Sequence, residues 1–148
     1  MEQNTNKPDQ HIFSRLRGEW VLTRTVGHDG VMTGRAAFTD KPGASSSLLY
    51  TEQGINRLPG GEEFDFFQNY LYQSDDAGLH VFFADGRTFH TLDFETDRRA
   101  KARHLCGNDL YQGTYAFHDD DHFSVTWSVK GPKKDFVIQT KYQRLGSC

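Results

Sequence analysis

The chain has 148 residues, enough for one domain with a core of its own, and 14% of them are aromatic, which sets it apart from disordered sequences. A formal net charge of −3 lacks the basic footprint of a nucleic-acid binder. No apolar run approaches the roughly 20 residues of a membrane-spanning helix, and two cysteines, Cys106 and Cys148, are too few for a disulfide framework and point to the reducing cytoplasm.

The first ten residues, MEQNTNKPDQ, are polar and carry no apolar signal-peptide core, so residues 1–9 read as a flexible lead and 10–148 as a single domain. PDQHIFSRLRG then predicts a short helix. Asp9 is placed to cap it, Ile12, Phe13 and Leu16 form one apolar stripe, and Gly18 ends it. Beyond this point the apolar pattern alternates. Strands are predicted over Trp20–Val26, Met32–Phe38, Leu48–Leu58, Phe64–Gln73, Leu79–Phe83, Thr88–Phe94, Ala102–Cys106, Leu110–Phe117, His122–Val129 and Phe136–Arg144. Every break between them holds Gly, Asp, Asn or Pro, the residues of tight hairpin turns.

A meander of this length leaves two open edges, and the natural twist of a sheet lets it curl until the first and last strands pair. The expected fold is all-β: an up-and-down antiparallel barrel of about eight to ten strands with one short N-terminal helix. Alternation then puts Trp20, Leu22 and Arg24 on the inner face. On the last strand it aligns Phe136, Ile138, Thr140, Tyr142 and Arg144. Closure brings Arg144 over Trp20, where a guanidinium can stack on the indole.

Gly18-x-Trp20 after a short helix, then a meander and a late Arg144, resembles the lipocalin and calycin pattern, in which a tryptophan sits at the closed end under a C-terminal arginine. The stretches FSRLRGEW, FHTLDF, HLCGNDLYQGTY and GPKKDF are similar to a family of small lipocalin-like domains of unknown function, and the similarity spans most of the chain. The resemblance implies a barrel of the intracellular, fatty-acid-binding type. It implies no settled activity.

Arg24 is the first candidate site residue. Inside a barrel it must be paired: either it receives a ligand carboxylate or it bonds internally to Glu52 or Asp109, the alternative being an outward-facing position. Tyr70 and Tyr72 share one face with Phe66, and Tyr111 and Tyr115 share another, with Gly113 between them leaving space for a ligand. His104 and Cys106 lie two apart on a strand with His90 across the preceding hairpin, a set that could supply acid–base chemistry or, less aptly, metal ligands. HDDDH (118–122) looks like a metal string but falls in a polar turn, and Lys134 of KGPKKD sits at one mouth of the barrel.

Two functions fit. The chain either binds an apolar or aromatic, acid-bearing small molecule through Arg24, Glu52, Tyr70, Tyr72, Cys106, Tyr115 and Lys134, or it is a cofactor-free isomerase, cyclase or lyase working through His90, His104 and Tyr111. No cofactor or metal is required; haem bound through His90 or His104 is a third reading. The expected partner is a small molecule, not nucleic acid or membrane, with the chain a monomer or homodimer.

Overall fold

The computed structural model describes residues 7–146; Cys148 and most of the expected N-terminal lead lie outside them. Helix α1 (Pro8–Leu16) has proline in its first turn. Asp9 is not its cap. It lies inside the first turn, favourable to the helix dipole, and Lys7 occupies the cap position with no side-chain bond. The helix stops at Leu16, before Gly18, whose φ of +125° lets the chain swing straight into the first strand.

Ten strands follow: β1 (Gly18–Val26), β2 (Val31–Lys41), β3 (Ala44–Arg57), β4 (Glu63–Asp75), β5 (Gly78–Phe83), β6 (Thr88–Thr96), β7 (Arg99–Cys106), β8 (Asp109–Asp119), β9 (His122–Gly131) and β10 (Lys134–Arg144). Each pairs antiparallel with its neighbours in sequence, and β1 pairs with β10, so the barrel is closed. Trp20 faces Arg144 across that closing ladder and Arg24 faces Thr140.

One end of the barrel is sealed. Ile12, Phe13 and Leu16 of α1 are buried there with Trp20 and Phe123, and the Trp20 indole N–H donates to the Leu16 carbonyl at 2.9 Å. The Arg144 guanidinium lies 4.3 Å from the centre of the Trp20 ring. It also donates to the Arg15 and Arg17 carbonyls, and to Asp120 and Asp121 in the HDDDH turn. That turn therefore fastens the cover over Trp20; its His122 bonds Asp119 at 2.8 Å.

Two irregularities shape the other half. The β5–β6 register shifts between Val81↔His90 and Phe82↔Thr88, which makes Phe89 the extra residue of a bulge. The β6–β7 ladder pairs only Asp93↔Lys101, Phe94↔Ala100 and Thr96↔Arg99, all near the sealed end.

Candidate functional site

A cavity of about 250 Å³ occupies the barrel between the sealed end and the mouth. A second hollow of about 350 Å³ lies outside the barrel, between α1 and the β6–β7 and β8–β9 turns, crossed by the exposed Arg15–Asp120 pair. The interior cavity is where buried polar groups converge, and every strand except β7 contributes to its wall.

One cluster is built on β1, β3 and β10. Arg24 donates to both Glu52 oxygens, at 2.6 and 2.9 Å, and to the Thr140 hydroxyl at 2.7 Å. Glu52 is 2% exposed. Its carboxylate can only accept, so the Tyr50 hydroxyl donates to it, and Tyr50 in turn accepts from Tyr142 at 2.8 Å. Burial pushes the Tyr50 hydroxyl well above its usual range and the Tyr142 hydroxyl up to about 12, the Glu52 charge adding to both. Arg24 is also held above its ordinary value by its bond to Glu52, against the opposing effect of burial. Of the alternatives open from sequence, the internal pair with Glu52 is the one observed. The ion pair neutralises itself within the wall, and a ligand carboxylate finds no uncompensated charge there.

The second cluster is built on β4, β6 and β8. The bulge turns Phe89 and His90 toward the same interior, where alternation alone would separate them. His90 is 4% exposed; its Nε2 lies 2.7 Å from the Tyr115 hydroxyl. Burial raises the Tyr72 hydroxyl well above its usual range, with the neighbouring Tyr115 adding to it. Tyr115 engages Nε2 and leaves the other ring nitrogen, Nδ1. That Nδ1 is buried without a hydrogen-bond partner among the described residues. Burial, with the nearby His104 charge second, pushes the imidazole down to about 3.

The remaining wall is aromatic. Phe83, Phe89 and Trp127 run in near-parallel stacks with centroids 4.5 and 5.8 Å apart, and Tyr70 stands 5.4 Å from Phe89. Tyr70, Tyr72, Tyr111 and Tyr115 all reach the cavity, as alternation predicts. Gly113 lies between two of them, yet it leaves no room for a ligand. A side-chain carbon there would stand 2.8 Å from the Trp127 ring, which already fills the space.

Three expected site residues are placed elsewhere. Cys106 is exposed at the end of β7, a free thiol rather than a core or cavity residue. Lys134 is held by Asp109 at 3.0 Å, which raises its ammonium above the usual range and removes Asp109 as a partner for Arg24. His104 lies behind the cavity wall, its Nδ1 3.0 Å from the Phe89 carbonyl and its ring 5.1 Å from the Phe89 ring. Tyr50, Tyr142, Phe89 and Trp127 complete the site and are not among the candidates read from sequence. Tyr50-x-Glu52 on one face was a legible signal; the bulge at Phe89 was not.

Among solved structures, the S-type phycobiliprotein lyase CPES from Guillardia theta is similar at a TM-score of 0.66, with 12% identity over 94% of this chain and 93% of that one. A redesigned β-barrel, mFAP1, bound to DFHBI, is similar at a TM-score of 0.50, with 15% identity over 90% of this chain and 98% of that one. At these identities the likeness is one of fold. No curated protein matches the sequence. Among the described residues no helix is long and apolar enough to cross a membrane. The sequence profile that matches covers residues 16–144, from the last turn of α1 to the end of β10, and the chain belongs to DUF6314, a family of unknown function.

Proposed function

We propose that the chain binds a small, neutral, largely aromatic molecule inside the barrel. The observation that carries this is the closed Arg24–Glu52 pair: the only ions on the cavity wall cancel each other, among the described residues, and the rest of the wall is ring surface, aliphatic carbon and a few polar atoms. The acid group suggested by an inward arginine loses its support, since Glu52 already holds the face a ligand carboxylate would take. That solved barrels of the same fold bind DFHBI or act as a phycobiliprotein lyase is consistent with an interior used for small molecules.

Binding is favoured over turnover by the state of the titratable groups. A general acid or base works best with a pKa near the operating pH. His90 is held near 3 and stays neutral, and burial keeps the Tyr115 hydroxyl protonated. No metal or cofactor enters the proposal. We place the barrel in the calycin group on the Trp20–Arg144 cover, and in the cytoplasm on the free, exposed Cys106 thiol.

The test is a pair of ligands that share a ring system and differ in charge. 2-Acetylnaphthalene and 2-naphthoate are titrated by calorimetry into the wild-type chain and into Val125→Trp, which fills the cavity from β9. Saturable binding of the ketone, at least about tenfold weaker binding of the carboxylate, and loss of both in the folded variant is the expected result. Absence of binding, or a preference for the carboxylate, overturns the proposal.

A further inference from the structure

The β6–β7 seam is zipped at one end and open at the other. Continuing the register of Asp93↔Lys101 toward the mouth sets Thr91 opposite Arg103 and His90 opposite His104, yet no ladder pairs form there. Both strands remain paired on their far sides, β6 to β5 and β7 to β8 along its full length. The loss of ladder pairing is therefore confined to this one seam. It holds a groove of about 760 Å³ on the outer surface, walled by Thr91, Lys101 and Arg103 and floored by the small residues Ala102 and Gly113. Phe89 and His90 border both this groove and the interior cavity, so these two adjacent side chains are the partition between outside and inside.

What bridges the open stretch is a side chain. His104 on β7 reaches the Phe89 carbonyl on β6 at 3.0 Å, and its ring packs on Phe83, Phe89 and Tyr111. A single side-chain bond in place of a ladder is weak. It can break while the flanking ladders stay intact. The rest of the barrel wall offers no comparable opening: every other pair of neighbouring strands is laddered over at least four residue pairs.

We propose that the ligand of the interior cavity passes through the unzipped half of the β6–β7 seam, and that His104 is the latch on this passage. The inference rests on the cavity-binding reading above. The ligand class is the same, a compact neutral aromatic, since the passage runs between rings.

The experiment closes the seam reversibly. Thr91→Cys and Arg103→Cys are introduced with Cys106 and Cys148 replaced by serine, and the new pair is bridged by a short bis-methanethiosulfonate linker that reductant removes. Stopped-flow tryptophan fluorescence follows 2-acetylnaphthalene into and out of the bridged and the reduced forms of the same chain. The bridge is expected to slow association and dissociation together by about tenfold or more while Kd stays within about twofold, because a gate changes both rates equally. His104→Ala, measured separately, is expected to speed both. If the ketone binds and the bridged and reduced rates agree, the ligand uses the mouth and the seam proposal is overturned while the cavity reading stands. If the ketone binds neither form nor the wild-type chain, the cavity reading falls and the passage with it.

Discussion

His90 Nε2 lies 2.7 Å from the Tyr115 hydroxyl, while its Nδ1, equally buried, has no hydrogen-bond partner among the described residues. A half-satisfied imidazole is an unfavourable thing to bury. It persists because the bulge at Phe89 fixes its backbone and Tyr115 holds its other nitrogen. Burial disfavours a charge on this ring, and the nearby His104 adds to that, which is why its pKa falls to about 3.

The pH dependence of stability follows from that shift. Between about 3 and the ordinary 6.5 the unfolded chain takes up a proton at His90 and the folded chain does not. The contribution of the neutral ring is fully present above 6.5 and is lost as pH falls toward 3, with a slope approaching about 1.4 kcal/mol per pH unit. Urea unfolding of wild type and His90→Gln at several pH values from 6.5 to 4.5 checks this. The wild-type slope is expected to exceed the variant's by most of that amount, and parallel curves would show that His90 takes up protons equally in both states.

The Arg24–Glu52 pair predicts an asymmetry between single and double replacements. Glu52→Met leaves a guanidinium without its counter-ion, and Arg24→Met leaves a carboxylate that is 2% exposed without its cation. Each single change is expected to cost about 3–5 kcal/mol. The double variant Arg24→Met/Glu52→Met removes both charges and is expected to recover a large part of that loss. Chemical denaturation of the four proteins measures the coupling. Additive losses would mean that the two groups do not depend on each other.

How much of this was readable beforehand divides along the backbone. Strict alternation holds along β1 and β10, so Trp20, Leu22 and Arg24, and Ile138, Thr140, Tyr142 and Arg144, face inward as their spacing requires, and the Arg144–Trp20 contact follows from closure. On β6 alternation fails at one residue. The bulge adds Phe89 to the same interior as His90, and nothing in TFHTLDF marks it. The residues around Gly113 are misread for a different reason. Sequence shows that a glycine leaves space, but only the cross-strand register, Gly113↔Trp127, shows what fills it. Lys134 and Asp109 are similarly separated in sequence and joined by the β9–β10 turn beside the start of β8.

The cover over Trp20 predicts that charge alone does not substitute for Arg144. Its planar group stacks on the indole and donates to carbonyls from α1 and to the β8–β9 turn. A lysine ammonium cannot span those acceptors while lying flat on the ring. Arg144→Lys is expected to lower stability by about 1–3 kcal/mol. In a Trp127→Phe background it is also expected to shift Trp20 emission to longer wavelength as water reaches the ring. Unchanged stability and emission would show that the guanidinium is dispensable there.

Gly113→Ala tests the packing that defines the cavity's aromatic wall. The added methyl would stand 2.8 Å from two atoms of the Trp127 six-membered ring, closer than non-bonded carbons approach. Trp127 is confined in turn by Phe89 at 5.8 Å and by His90 at 5.0 Å, so it cannot retreat without pushing on both. Overpacking of this kind costs about 1–3 kcal/mol. The strain passes to residues that line the cavity, so the same substitution is expected to weaken 2-acetylnaphthalene binding. Trp127→Phe takes away most of the ring area that the methyl meets, and in that background Gly113→Ala is expected to cost less than half as much. Denaturation of the four variants decides the point. An equal cost in both backgrounds would trace the penalty to the β8 backbone and not to the indole.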